Sequence, residues 1–187
     1  MPGNKKNKNN ASWAACKQVL KQWPTTGVVA LLQELYQLSD ENRTFLHSRL
    51  LPNLRRETID AIKSKLATLT SQKTVFAGRF SHVAIKRLVD QYHKAADDPA
   101  GVAELLIADI DFTLATFNSI GGDDEAMVDH AYACRERRHT TLQSLKPDLR
   151  PPLCRELHKL GSRWQNKFGY GISDELWDMA VHWEKIA

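Results

Sequence analysis

Where proline stands constrains this chain more than any other feature. A proline inside a helix removes a hydrogen bond and clashes with the preceding turn, at a cost of roughly 3 kcal/mol. The seven prolines are Pro2, Pro24, Pro52, Pro99, Pro147, Pro151 and Pro152. Each lies near the N-terminus or at a boundary between segments, and none interrupts a run of strong helical periodicity. The punctuation therefore predicts an all-α fold, a single multi-helix bundle or short helical array of about eight or nine helices.

Apolar spacing supports that reading. Val28, Leu31, Leu32, Leu35 and Leu38 form a first stripe behind the candidate caps Thr25 and Thr26. Ser39-Asp40-Glu41 reads as a second start, with acids favoured in the first turn. Ile59, Ile62, Leu66 and Leu69 step by three and four, the mark of an amphipathic helix. Ser81 is the expected cap of a helix carrying Ile85, Leu88, Val89 and Tyr92. Asp98-Pro99 combines an N-cap with proline at the first helical position. The helix it opens carries Leu105, Leu106, Ile107, Ile110, Phe112, Leu114 and Phe117 on several sides of its axis. Such a helix is expected at the centre, wrapped by the others. Gly121-Gly122 ends it, and Asp123-Asp124-Glu125 opens the next. Pro151-Pro152 and Ser173-Asp174-Glu175 start the last two, the final one expected to be short. The only strand-like stretch is residues 73–80.

At 187 residues the chain suits one domain with a core of its own, without disulfides or metal. Residues 1–10 read as a disordered basic tail and 11–187 as a single all-α domain. The opening residues have no apolar run behind them and do not resemble a secretory signal. No stretch approaches the roughly 18 apolar residues of a membrane span, so no membrane partner is expected. The cysteines, Cys16, Cys134 and Cys154, are sparse and odd in number. They fit a reducing, cytoplasmic setting better than a disulfide scaffold.

The net charge of +4 is unevenly spread. Residues 1–100 hold 16 Lys and Arg against 8 Asp and Glu, whereas residues 101–187 hold 10 against 14. The basic half suits an acidic partner, either nucleic acid or protein, or simply the chain's own acidic half. Its candidate face is Arg79, His82, Lys86, Arg87 and Lys94, with Lys73, Lys63 and Lys65 nearby. Such bases would hold phosphates without reading sequence.

Metal chemistry has one candidate set, with a bland alternative beside it. His130 and Cys134 are four apart on one predicted helix, and Cys154 and His158 are four apart on the next, so each pair shares a helix face. Were the helices adjacent, the four would converge on a tetrahedral zinc. The competing reading is inert, buried thiols. Asp109 falls between Leu106 and Ile110, on a side expected to be buried. A buried acid serves either as a general acid or base or as the partner of a base from another helix, and the ion pair is the commoner case. Asp111 points about 200° around the axis from Asp109, so the two form no carboxylate pair. No phosphate-cradling glycine loop, nucleophile elbow or HExxH motif is present, so no cofactor is expected, and the balance leans against catalysis while leaving it open. Trp164, Phe168, Tyr170, Trp177 and Trp183 crowd the C-terminal quarter. Buried, they are core; exposed, they mark a protein-binding patch.

Three blocks carry a family resemblance. The segment LQELYQLSDENRTFLHSRL, residues 32–50, resembles the opening of an uncharacterised domain-of-unknown-function family of short, all-helical bacterial proteins. Asp97-Asp98-Pro99 followed by Asp111-Phe112-Thr113-Leu114 is similar to that family's Asp-Pro turn and acid-Phe-Thr-Leu helix. Residues 169–176, GYGISDEL, are similar to its glycine-aromatic-glycine run. The resemblance implies a stand-alone helical domain and supports Asp111 while naming no substrate. It does not include the His130, Cys134, Cys154 and His158 set. Gly169 and Gly171 would then be turn residues that place Tyr170 at a bend.

The expected role is a non-catalytic binding or adaptor module for a protein partner, acting through a helical groove or the basic face. A nucleic-acid-binding accessory role is the alternative, and a metal-dependent or hydrolytic enzyme comes third.

Overall fold

The computed structural model describes residues 12–121, 125–167 and 172–185. Among these there are ten α-helices and no strand. The chain divides into two compact units, residues 1–43 and 44–187. Among the described residues, the buried apolar ones all belong to the second unit, and none of the first three helices contributes one.

The first unit holds α1 (Trp13–Leu20), α2 (Thr25–Leu38) and the first turn of α3 (Asp40–Leu50). Ser12 caps α1, its hydroxyl accepting from the Ala15 N–H at 3.3 Å. The cap position of α2 falls on Pro24, which supplies no side-chain bond, rather than on Thr25 or Thr26. Ser39 starts α3 by accepting from the Asn42 N–H at 3.1 Å.

The second unit continues through a 3-10 turn at Pro52–Leu54 into α4 (Arg55–Leu69), α5 (Gln72–Phe76) and α6 (His82–Ala95). The strand-like residues 73–80 form α5 and its exit. Ser71 caps this short helix, and Gly78 ends it at φ 64°, a backbone geometry no strand has. Ser81 caps α6 through the Ala84 N–H, as expected. Then come α7 (Pro99–Ser119), α8 (Glu125–Ser144), a 3-10 turn at Pro147–Leu149, α9 (Arg150–Trp164) and α10 (Ile172–Lys185). The last is a full fourteen residues rather than short. Asp123-Asp124 lies outside the described residues, as do Phe168 and the Gly169–Gly171 bend.

Helix α7 holds the second unit together. One core cluster joins its Val102, Leu105 and Leu106 to Ile59, Ile62 and Leu66 of α4 and to Ile85, Val89 and Tyr92 of α6. The other joins its Ile110 and Leu114 to Ala131 and Leu142 of α8, Leu153, Leu157, Leu160 and Trp164 of α9, and Leu176 of α10. Polar ties reinforce the seams. Asp111 of α7 accepts from Arg163 at 2.5 Å and from the Trp164 indole at 3.0 Å, fastening α7 to α9. No described helix is long and apolar enough to cross a membrane.

Candidate functional site

Three features of the second unit carry unusual chemistry, and the first lies between α7 and α8. Asp109, His130 and Cys134 are all at most 5% exposed. His130 and Cys134 share one face of α8, as their spacing of four requires, and both turn toward Asp109. His130 Nε2 lies 3.0 Å from Asp109 Oδ1. The Cys134 thiol donates to Asp109 Oδ2 at 3.0 Å, and its sulfur is 3.5 Å from His130 Nε2. Phe80 packs edge-on against the imidazole, with centroids 5.6 Å apart. Asp109 is thus a buried acid matched by a histidine from another helix, the commoner of the two outcomes for such a residue. Burial pushes the Cys134 thiol well above its ordinary range, and the charge of Asp109 and the bond to it act the same way. Arg138, buried one turn further along α8, opposes them.

The predicted four-ligand set is not assembled. Among the described residues, the His, Cys and acid donors that gather within 4.8 Å are Asp109, His130 and Cys134. Cys154 and His158 face other neighbours from α9. Cys154 enters the core beside Leu153 and Leu157. The His158 ring lies 4.7 Å from that of Trp177. None of the three cysteines forms a disulfide. The third member of the cluster, Asp109, drew notice in the sequence only as a buried acid.

The second feature surrounds the start of α7. Asp98 caps it, Oδ1 accepting from the Gly101 N–H at 2.9 Å. Its Oδ2 accepts from the Tyr92 hydroxyl at 2.5 Å and from Arg55 Nε at 2.6 Å. Burial alone would raise this carboxyl, but the bonds from Arg55, Tyr92 and Gly101 outweigh it and hold it below the usual carboxylate range. Burial also drives the Tyr92 hydroxyl upward, with its bond to Asp98 adding to the effect. A methyl group on Gly101 would run into the Asp98 carboxylate and come within 2.6 Å of the Tyr92 oxygen. Glycine is therefore required here for close approach. A cavity of about 310 Å³ adjoins this network, lined by Ser48, Arg49, Arg55, Tyr92 and Asp98 among others.

A groove of about 460 Å³ along α7 is the third. Its floor includes Ile107, Phe112, Leu153 and Leu160. Its rim is charged but already matched: Glu104 holds Arg56 at 2.5 Å and Lys63 at 2.7 Å, Asp111 holds Arg163, and Glu156 holds Lys159 at 2.8 Å. Burial would raise the Glu104 carboxyl; the bonds from Lys63 and Arg56 prevail and lower it. Lys63 is thereby committed to this rim rather than to the basic face.

Part of the predicted basic face is brought together by α6. Arg79, His82, Lys86, Arg87 and Lys94 are all exposed. Lys86, Arg87 and Lys94 line a shallow depression of about 380 Å³ with Val83, Asp90 and Gln91. Asp90 tempers the charge by holding both Lys86, at 2.7 Å, and Arg137 of α8. Of the C-terminal aromatics, Trp164 is buried, whereas Trp177 is 46% exposed. The side chains of Phe168, Tyr170 and Trp183 lie outside the described residues.

No protein-family model, curated protein or solved structure matches the chain.

Proposed function

We propose that the chain is a non-catalytic binding module that docks a protein partner on the apolar surface of α1 and α2. One observation carries this. Seven large apolar side chains in the first unit are exposed: Trp13, Val19, Trp23, Val29, Leu32, Leu35 and Leu38. Four of them, Val29, Leu32, Leu35 and Leu38, step by three along α2, which carries Glu34 as its single charged residue over 14 positions. Full burial of a large apolar side chain is worth roughly 1.5–3 kcal/mol, and covering the exposed part of each of these gains about half of that, so the helix favours a covered state. The partner this chemistry fits is another helix with an apolar face and few charges. The setting we infer is the cytoplasm, on the sparse, odd set of cysteines.

The test pairs Leu32→Glu with Leu38→Glu. A photo-crosslinker at position 35 first identifies the contacting protein, and binding is then reconstituted with that protein purified. The double variant is expected to keep its far-UV circular dichroism and to lose at least tenfold to a hundredfold in affinity, about 1.4–2.8 kcal/mol. Sedimentation of the chain alone shows whether the partner is a second copy. Undiminished affinity in the double variant would overturn the reading.

A second reading, a nucleic-acid accessory, is favoured by the five exposed bases around α6. Binding of labelled RNA or DNA would then weaken steeply with salt and vanish in Arg79→Glu with Lys86→Glu. No binding at low salt removes it.

A further inference from the structure

The geometry points to a buried zinc site with three protein ligands, Asp109 of α7 with His130 and Cys134 of α8, the fourth tetrahedral position being left to a water. The three residues supply the oxygen, nitrogen and sulfur donors that a borderline-soft ion such as zinc prefers. Their spacing is close to what the ion needs. Tetrahedral bonds of about 2.0–2.3 Å set donor atoms roughly 3.3–3.6 Å apart. Sulfur and Nε2 already stand 3.5 Å apart. The carboxylate oxygens, each 3.0 Å from its neighbour, would withdraw by a few tenths of an ångström.

The surroundings fit the same role. All three donors are buried, so the site offers no approach for a substrate and the ion would be enclosed as α7 and α8 pack. Phe80, lying edge-on to the imidazole, restricts the ring that must present Nε2. The thiol gives up its proton to solvent as its sulfur ligates. A divalent ion held by one thiolate and one carboxylate is a neutral unit, so the buried Arg138 one turn further on meets no net positive charge from it. The site would fasten α7 to α8 at the midpoint of the second unit. It is independent of the docking surface on α1 and α2, and its failure would leave that reading untouched.

The rival arrangement is the hydrogen-bonded network itself, with Asp109 accepting from both partners and no ion needed. The full-length protein separates the two. Reconstituted with zinc and freed of excess, it is expected to carry about one equivalent of metal and to melt roughly 5–10 °C higher than after chelation. Loaded with cobalt instead, it is expected to show a thiolate-to-cobalt charge-transfer band in the near ultraviolet. Cys134→Ser should abolish that band and His130→Gln should weaken or remove it, while Cys16→Ser keeps it. Should either core variant fail to fold, elemental analysis and the cobalt spectrum of the unmodified chain decide alone. Substoichiometric metal with no change in melting, or a band that survives Cys134→Ser, overturns the site.

Discussion

Leu106→Ala is expected to destabilise the second unit by about 2–5 kcal/mol, seen as a melting temperature lower by roughly 5–15 °C. Leu106 is fully buried in the cluster shared by α4, α6 and α7, where Ile62, Leu66, Val89 and Leu105 also pack. Truncation removes three carbons and leaves a space the surrounding helices cannot easily close, because α7 is held on its other side by α8 and α9. A loss below about 0.5 kcal/mol in a denaturant titration would mean that this part of α7 does not carry the core.

Asp98→Ala is expected to cost about 2–4 kcal/mol. The loss of the helix cap contributes about 1 kcal/mol. The rest comes chiefly from the buried Tyr92, whose hydroxyl loses a charged acceptor. Arg55 adds little, being more than a third exposed and screened by water. The same residue fixes a pH dependence. The folded-state carboxyls of Asp98 and Glu104 lie below their ordinary values. Their stabilisation is therefore complete above the unfolded carboxylate range, about pH 4, and is lost as pH falls through the folded values. In acid titrations followed by circular dichroism, Asp98→Asn should flatten this limb. A variant as acid-sensitive as the unmodified chain would assign the effect to other carboxylates.

Boundaries were legible wherever a local chemical rule sets them. Asp98-Pro99, Ser81 and Pro151-Pro152 each mark a helix start that the structure contains. Misreadings arose where the deciding interaction is not local. Val75, Phe76 and Phe80 look like strand residues until the Ser71 cap and the positive φ of Gly78 are taken together. The stripe on α2 identifies an apolar face, but periodicity is the same whether that face is covered or bare. The exposure of that face on α2 was hidden for that reason. The cluster was half visible: the spacing of His130 and Cys134 places them on one face of α8. That Asp109 meets them, rather than Cys154 and His158, depends on how far α7 slides along α8, which no local pattern encodes.

Two kinds of tryptophan give the molecule a built-in optical label. Trp164 is buried with its indole N–H on Asp111, and the Lys167 ammonium stands 5.2 Å from its ring centre. Trp13, 70% exposed, and Trp23 sit in the first unit facing solvent. Indole light emitted from an enclosed, apolar site is bluer than light from a wetted one. Melting of the α7–α9 seam therefore reddens one component of the fluorescence, while a helix settling over α1 and α2 turns another blue. With Trp177, itself 46% exposed, replaced by Phe, the direction of the emission shift distinguishes unfolding from docking without any added dye.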